Sequence, residues 1–325
     1  MKRMTNNTLA EVAAVLKQAQ KVLIACHARP DGDALGSGLA LCCALNNAGK
    51  KAYMLCEEQT PERLNVLPEM AQTHQTLPVN LADIDLFVTV DSAELDRIGV
   101  FAAQFSSFKG KTLNIDHHIS NPRFAKYNYV LADSTATCEI MPEIFEAAGF
   151  EITKPIADLL VIGLMTDSGN FSHGDVSEKT FKVAAKLRAC GADTCEIGYQ
   201  MFTRQSKARA LLYTRVLGKM RFELDDKLAF ITITQNDMKE TATDKSQTEG
   251  FVDFPLSIDG VEVSIALMEV KDNQYKVSLR SRRVNVNAVA AKFGGGGHVL
   301  ASGCMLFGEY EEVVERLTHA VNQQL

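Results

Sequence analysis

Four short segments of the 325-residue chain place Asp and His residues where apolar runs stop. They are His27, Asp31 and Asp33 in HARPDGDALGS after KVLIA, Asp91 after LFVTV, Asp116-His117-His118 after TLNI, and Asp167 after LLVIGLMT. If these breaks meet at one edge, His27, Asp31, Asp33, Asp91, His117 and Asp167 form a pocket of two imidazoles and four carboxylates. Carboxylates packed that closely repel unless cations neutralise them. Carboxylate and imidazole without thiolate point to Mn²⁺, with Mg²⁺, Co²⁺ or Fe²⁺ as substitutes, because imidazole favours a softer ion than Mg²⁺. Six ligands are too many for one ion. Two ions about 3.5 to 4 Å apart, sharing one carboxylate, suit the activation of water and the clamping of a phosphoryl group. The chemistry expected is phosphoester hydrolysis.

Taken singly, each residue has a blander reading. Asp31 and Asp33 fit an Asp-rich helix cap beside a bystander histidine, and an Asp after a strand is commonly a turn former. The recurrence at four separate breaks is what favours a metal site. A second cluster lies in VSLRSRRVNVNAVAAKFGGGGHVLASG, where Arg280, Ser281, Gly296, Gly297 and His298 are candidates for holding a phosphate or a base. Glycine lets backbone N–H groups come close to an anion. Alternation along a strand places Arg280 and Ser281 on opposite faces unless the strand ends or bulges there. Positions 273–308 contain no Asp or Glu but hold Lys276, Arg280, Arg282, Arg283 and Lys292, a local anion-attracting field.

The elements that must carry these residues follow from the pattern. KVLIA, a helix from about 35 to 48, AYML, LFVTV and TLNI have the rhythm of a parallel α/β sheet. Residues 135–190 read as helices that cover it, and 196–217 as one further helix. KMRFEL, LAFITIT, VEVSIALME and YKVSLR then read as strands of a second, smaller α/β domain, with TATDKSQTEG at 241–250 as a mobile surface loop. The expected division is a catalytic domain over 1–192, a helical linker over 193–217 and a substrate-binding domain over 218–325.

Composition sets the outer bounds. The net charge of −6 comes wholly from residues 1–199, with 18 Lys and Arg against 24 Asp and Glu; residues 200–325 carry 16 of each. That distribution lacks the long positive stripe of a duplex-DNA binder. No apolar run reaches the roughly 18 residues of a membrane span, and the start reads as an amphipathic helix, so a cytoplasmic protein without membrane contact is expected. Eight cysteines with no C-x-x-C pair are expected to be reduced thiols.

HARPDGDALGS, VTVDS, NIDHHISN and GLMTDSGNF resemble, in order, the four motifs of the DHH phosphoesterase superfamily, and FGGGGH resembles the glycine signature of its companion DHHA1 domain. The similarity runs from about 20 to 307 and, within the superfamily, is to the nanoRNase group of bifunctional oligoribonucleases and 3′-phosphoadenosine-5′-phosphate (PAP) phosphatases. It implies an N-terminal DHH domain, with a mainly parallel sheet flanked by helices, and a smaller C-terminal DHHA1 domain. Carried onto matching positions, it puts His27, Asp31 and Asp91 on one Mn²⁺ and Asp33, Asp91, His117 and Asp167 on the other, with Asp91 as the bridge. Asp116 is then expected to accept the free N–H of a ligand histidine, and His118 to face substrate as a donor.

The expected partners are short single-stranded RNA or DNA of about two to five nucleotides and nucleotide phosphates, gripped at one end by the second domain. A homodimer is plausible on the same reading. The competing activities are a cyclic or linear dinucleotide phosphodiesterase, a RecJ-like exonuclease and a manganese pyrophosphatase. A non-catalytic nucleotide-binding regulator is the alternative of another class; six intact ligand candidates argue against it, since their mutual repulsion costs stability.

Overall fold

The computed structural model describes residues 5–325. The chain divides into two compact units, one through Arg204 and one over Gln205–Leu325. In the first, β1 (Lys21–Ala25), β2 (Lys51–Leu55), β3 (Thr73–His74), β4 (Leu86–Val90), β5 (Lys111–Asp116) and β6 (Tyr127–Val130) form one sheet in the order β3-β2-β1-β4-β5-β6. Every pairing is parallel. A parallel sheet must be covered on both faces, which explains strands that read as unbroken apolar runs. Val22 and Ile24 of β1 enter one core, Leu23 and Ala25 the other.

Helices α1 (Leu9–Gln18), α2 (Gly32–Asn47), α4 (Thr137–Ala148) and α5 (Lys154–Asp167) pack into the first core; α3 (Ala102–Ser107) packs on the opposite face, and α6 (Glu178–Ala189) follows α5. Helices α2 and α5 cross at backbone contact through two glycines. A methyl group on Gly36 would lie 2.5 Å from the Leu159 carbonyl oxygen, and one on Gly163 would lie 2.7 Å from Asp33 Oδ1. Neither methyl fits.

The single helix expected over 196–217 is two. Helix α7 (Thr194–Gly198) runs into one wide turn, Arg204 is extended, and the Ser206 hydroxyl accepts the Arg209 N–H to open α8 (Lys207–Leu217). A serine that caps a new first turn ends the old helix instead of extending it. The 241–250 stretch is also less free than its composition suggests. Asp244 caps a short turn there, and the Arg209 guanidinium donates to the Gln247 and Glu249 carbonyls.

The second unit is a mixed sheet in the order β11-β12-β10-β9-β8-β7. Its strands are β7 (Arg221–Glu223), β8 (Leu228–Ile233), β9 (Val263–Lys271), β10 (Gln274–Ser281), β11 (Gly296–His298) and β12 (Ala301–Phe307). Helix α9 (Gln235–Thr241) follows β8; α10 (Val286–Ala291) and α11 (Tyr310–Asn322) supply core residues such as Val289 and Leu317 to one face. Buried Asp237 ties this unit together: its Oδ1 accepts from Lys219 Nζ at 2.6 Å and Arg215 Nε at 3.2 Å, and its Oδ2 from the Thr234 hydroxyl at 2.8 Å. Burial pushes its carboxyl up, but these donors outweigh it and hold the group at about 2. A depressed pKa gives stability that is present above the unfolded value and lost as pH falls through the folded one. Asp237→Asn is therefore expected to cost on the order of 2 kcal/mol at pH 7, with its difference from the parent shrinking below about pH 4, as measured by denaturant unfolding across pH.

Candidate metal centre

Strand order reverses between β1 and β4, so the loops leaving these strands open a crevice at the carboxyl edge of the sheet, where doubly wound folds bind ligands. His27 leaves β1 there and Asp91 leaves β4, the latter with a left-handed backbone at φ 50°. A non-glycine residue held in that region is strained and is commonly kept for function. Asp31 is both a helix cap and a site residue. Its Oδ1 accepts the N–H groups of Asp33 and Ala34 at 3.1 and 3.0 Å, which leaves Oδ2 to face His27. Asp167 ends helix α5, one of the helices expected over 135–190, and reaches the same crevice by the α2–α5 crossing.

The six expected ligands converge. His27 Nε2 lies 3.6 Å from Asp31 Oδ2 and 3.5 Å from Asp91 Oδ2; His117 Nε2 lies 3.5 Å from Asp91 Oδ1 and 3.4 Å from Asp167 Oδ2. One Asp91 carboxylate thus turns one oxygen to each histidine. Ligand atoms of His27, Asp31 and Asp91 fall within 4.8 Å of one another, as do those of Asp33, His117 and Asp167. The trio Asp91, His117 and His118 meets the same spacing.

The histidine tautomers show why cations fit. His27 Nδ1 is 2.9 Å from the Ala28 carbonyl oxygen and His117 Nδ1 is 3.1 Å from that of Ser134. A carbonyl only accepts, so Nδ1 carries the hydrogen and a neutral ring turns the Nε2 lone pair toward carboxylates. Lone pair against carboxylate is repulsive unless a proton or a metal ion lies between. Without a metal, protons take that place. Burial pushes His27 down, but Asp31 and Asp91 outweigh it and hold it at about 10. Burial, then the nearby Asp33 and Asp91 charges, raises Asp167 to about 10; burial and Asp91 raise Asp33 to about 7. Backbone carbonyls that orient imidazoles from behind are the usual support of histidine ligands.

Asp116 pairs with His118 and not with His27 or His117. Its Oδ1 accepts from His118 Nδ1 at 2.8 Å, since His27 and His117 already spend Nδ1 on backbone carbonyls. That hydrogen bond raises the His118 pKa above its ordinary value and leaves Nε2 as the outward nitrogen. Two residues escaped sequence reasoning. Buried Asn121 donates to Asp116 Oδ2 at 2.5 Å, and the Thr137 hydroxyl donates to Asp91 Oδ1 at 3.2 Å. The N–H groups of Thr137 and Cys138, at the start of α4, donate to both oxygens of Asp33 at 2.6 and 2.8 Å. Asn121 stood inside the NIDHHISN segment; Thr137 had no local signal, because its role depends on where α4 begins.

In the second unit, the strands sort the remaining candidates. Register places His298, Ala301 and Arg280 in one row across β11, β12 and β10, so His298 and Arg280 share a face over a small alanine. Ser281 is buried on the other face, and its hydroxyl donates to the Val284 carbonyl. Gly296 and Gly297 are exposed in strand β11. Gly297 has φ 149°, and a methyl there would lie 2.6 Å from the Ala301 carbonyl oxygen, so only glycine keeps this strand against β12.

Residues 21–164 match the DHH family N-terminal domain and residues 225–325 the DHHA1 domain. The chain belongs to the DHH/DHHA1 phosphoesterase family and is a hydrolase. A curated relative in Thermus thermophilus, named bifunctional oligoribonuclease and PAP phosphatase NrnA, is 33% identical over 97% of this chain and 93% of its own length. A Bacillus subtilis relative of the same name is 23% identical over 91% of the chain. Among solved structures, an exopolyphosphatase-related protein from Bacteroides fragilis superposes with a TM-score of 0.84 at 27% identity, covering 97% of this chain and 95% of its own. RecJ from Thermus thermophilus, solved with Mn²⁺, shares the fold with a TM-score of 0.54 at 14% identity, over 99% of this chain and 55% of its own.

Proposed function

We propose that the protein is a Mn²⁺-dependent phosphoesterase that hydrolyses single-stranded oligoribonucleotides of about two to five nucleotides to mononucleotides, and PAP to AMP. The observation that carries this reading is the pair of inward imidazole nitrogens, each 3.4 to 3.6 Å from two carboxylates. His27, Asp31 and Asp91 would hold one ion and Asp33, Asp91, His117 and Asp167 the other, with Mg²⁺, Co²⁺ or Fe²⁺ as substitutes. When bound, such ions supply water activation and neutralise charge on a phosphoryl group. The protein does the rest. His118, aligned by Asp116, presents Nε2 to the leaving oxygen as donor; Asp116 and Asn121 fix that ring. Arg280 and His298 hold a phosphate of the substrate, with the Gly296–Gly297 strand allowing close approach.

The names borne by the relatives support the choice of substrates, and their match spans nearly the whole chain. Eight free thiols suit a reducing compartment, in keeping with the cytoplasm. Among the described residues, no helix is long and apolar enough to cross a membrane. The test is release of labelled mononucleotide from an RNA dinucleotide and of phosphate from PAP, each with Mn²⁺ and with EDTA, alongside cyclic dinucleotides. Mn²⁺-dependent turnover of the first two, lost in Asp33→Ala protein, is expected. Turnover of cyclic dinucleotides alone would overturn the substrate reading.

A further inference from the structure

The open face of the C-terminal sheet continues past the row that holds Arg280 and His298. Tyr275, Val277 and Leu279 of β10 are buried in the core shared with α10 and α11, so Gln274, Lys276, Ser278 and Arg280 lie on the opposite face. On β12, Cys304 and Leu306 are buried, which turns Ala301, Gly303, Met305 and Phe307 to that same face. Register locks these residues into rows: Arg280 with Ala301, Ser278 with Gly303, Lys276 with Met305, Gln274 with Phe307. Over β8 and β9 the face is closed by Leu212, Val216, Phe251 and Val252. Over β10 and β12, Met305 is 38% exposed and Phe307 63% exposed.

The rows differ in chemistry. The first offers a guanidinium and an imidazole, the second a smooth floor, the third an ammonium beside a thioether, and the fourth an amide beside an aromatic ring. Asp253, its Oδ1 3.5 Å from Arg280 Nε, reaches the first row from the covering segment, while Lys276 has no ion-pair partner among the described residues. Residues 273–308 contribute no carboxylate. At about 3.4 Å per residue the rows stand about 7 Å apart and the strip is about 20 Å long.

Alternating cations with an exposed ring is how proteins hold single strands, with phosphates on the cations and bases on the aromatic face. A duplex would offer phosphates and leave Met305 and Phe307 unmatched. A second copy of the chain, docked face to face by two-fold symmetry, would bury Lys276 against a strip poor in carboxylates.

We propose that Lys276, Ser278, Gly303, Met305 and Phe307 form a track for about three further nucleotides of a single-stranded oligonucleotide, running from the phosphate seat at Arg280 and His298, with a base stacked on Phe307. The proposal rests on the oligonucleotide reading above and adds where the rest of the strand lies. It gives length preference a cause, since nucleotides beyond the Phe307 row gain no contact.

The test is equilibrium binding of oligoadenylates from di- to heptanucleotide to the full chain in EDTA, which blocks turnover, by calorimetric titration. Affinity should rise to the pentanucleotide and then level off. Phe307→Ala and Lys276→Ala should each weaken pentanucleotide binding about tenfold and dinucleotide binding less than twofold. An equal loss at every length, or no loss, would overturn the track. So would a shift from dimer to monomer on sedimentation of Phe307→Ala with an unchanged length profile, which would make the strip a contact between copies. Absence of oligonucleotide hydrolysis by the parent protein in Mn²⁺ would sink the oligonucleotide reading separately.

Discussion

Asp91→Asn protein is expected to lose at least about a thousandfold in kcat/KM toward an RNA dinucleotide and to bind Mn²⁺ at least about a hundredfold more weakly. The reason is positional: Asp91 is the carboxylate whose two oxygens lie 3.5 Å from both inward histidines, so its charge is shared by both halves of the cage. Asparagine is the informative replacement because it tolerates the left-handed backbone at this position and nearly keeps the volume. Titration calorimetry with Mn²⁺ reads the affinity directly.

The same substitution should make the stability of the metal-free protein less dependent on pH. Asp33, Asp167 and His27 all have folded pKa values above their ordinary ones, so the folded state binds more protons than the unfolded chain. Stability in EDTA is then expected to fall as pH rises from about 4 toward about 10, with Asp33 contributing up to about 7, His27 from about 6.5 and Asp167 throughout. Removing the Asp91 charge brings Asp33 and Asp167 back toward their ordinary values and takes a partner from His27 and His118, so every one of these shifts shrinks. Thermal unfolding from pH 5 to 9 should show a falling Tm for the parent in EDTA and a flatter curve for Asp91→Asn. A variant that binds Mn²⁺ like the parent would remove Asp91 from the cage.

His118→Ala should lower kcat about a hundredfold to ten-thousandfold while leaving Mn²⁺ affinity within a few-fold. The ring spends Nδ1 on Asp116 at 2.8 Å and has only Nε2 to offer. Should Mn²⁺ affinity instead fall as steeply as in Asp91→Asn, His118 belongs among the ligands with Asp91 and His117, a set whose spacing also admits an ion. Asp116→Asn is expected to follow His118→Ala in kcat and to lose stability as well, since an amide there can present a donor to buried Asn121.

The cage could be read from the sequence because its residues sit where apolar runs end, a boundary that local composition reveals. His27 after KVLIA and Asp91 after LFVTV needed nothing more than the rule that parallel strands deliver ligands to one edge. What stayed hidden was set by the third dimension. The identity of the Asp116 partner depended on which ring nitrogens the Ala28 and Ser134 carbonyls had already taken. Thr137 could not be singled out, because α4 must first be packed beside α2 before its opening N–H groups meet Asp33. The break at Arg204 hid for a different reason: apolar periodicity carries across a capping serine, and only the backbone shows which of the two signals won.

The glycines at 36 and 163 govern more than helix packing. Asp33 rides on α2 and Asp167 closes α5, so the distance between these two carboxylates is set by how near the two backbones come at the crossing. In the proposed metal cage, the ionic radius accepted would therefore be encoded partly at two positions with no side chain at all. A lineage that changed its preferred cation could do so there, without touching any ligand.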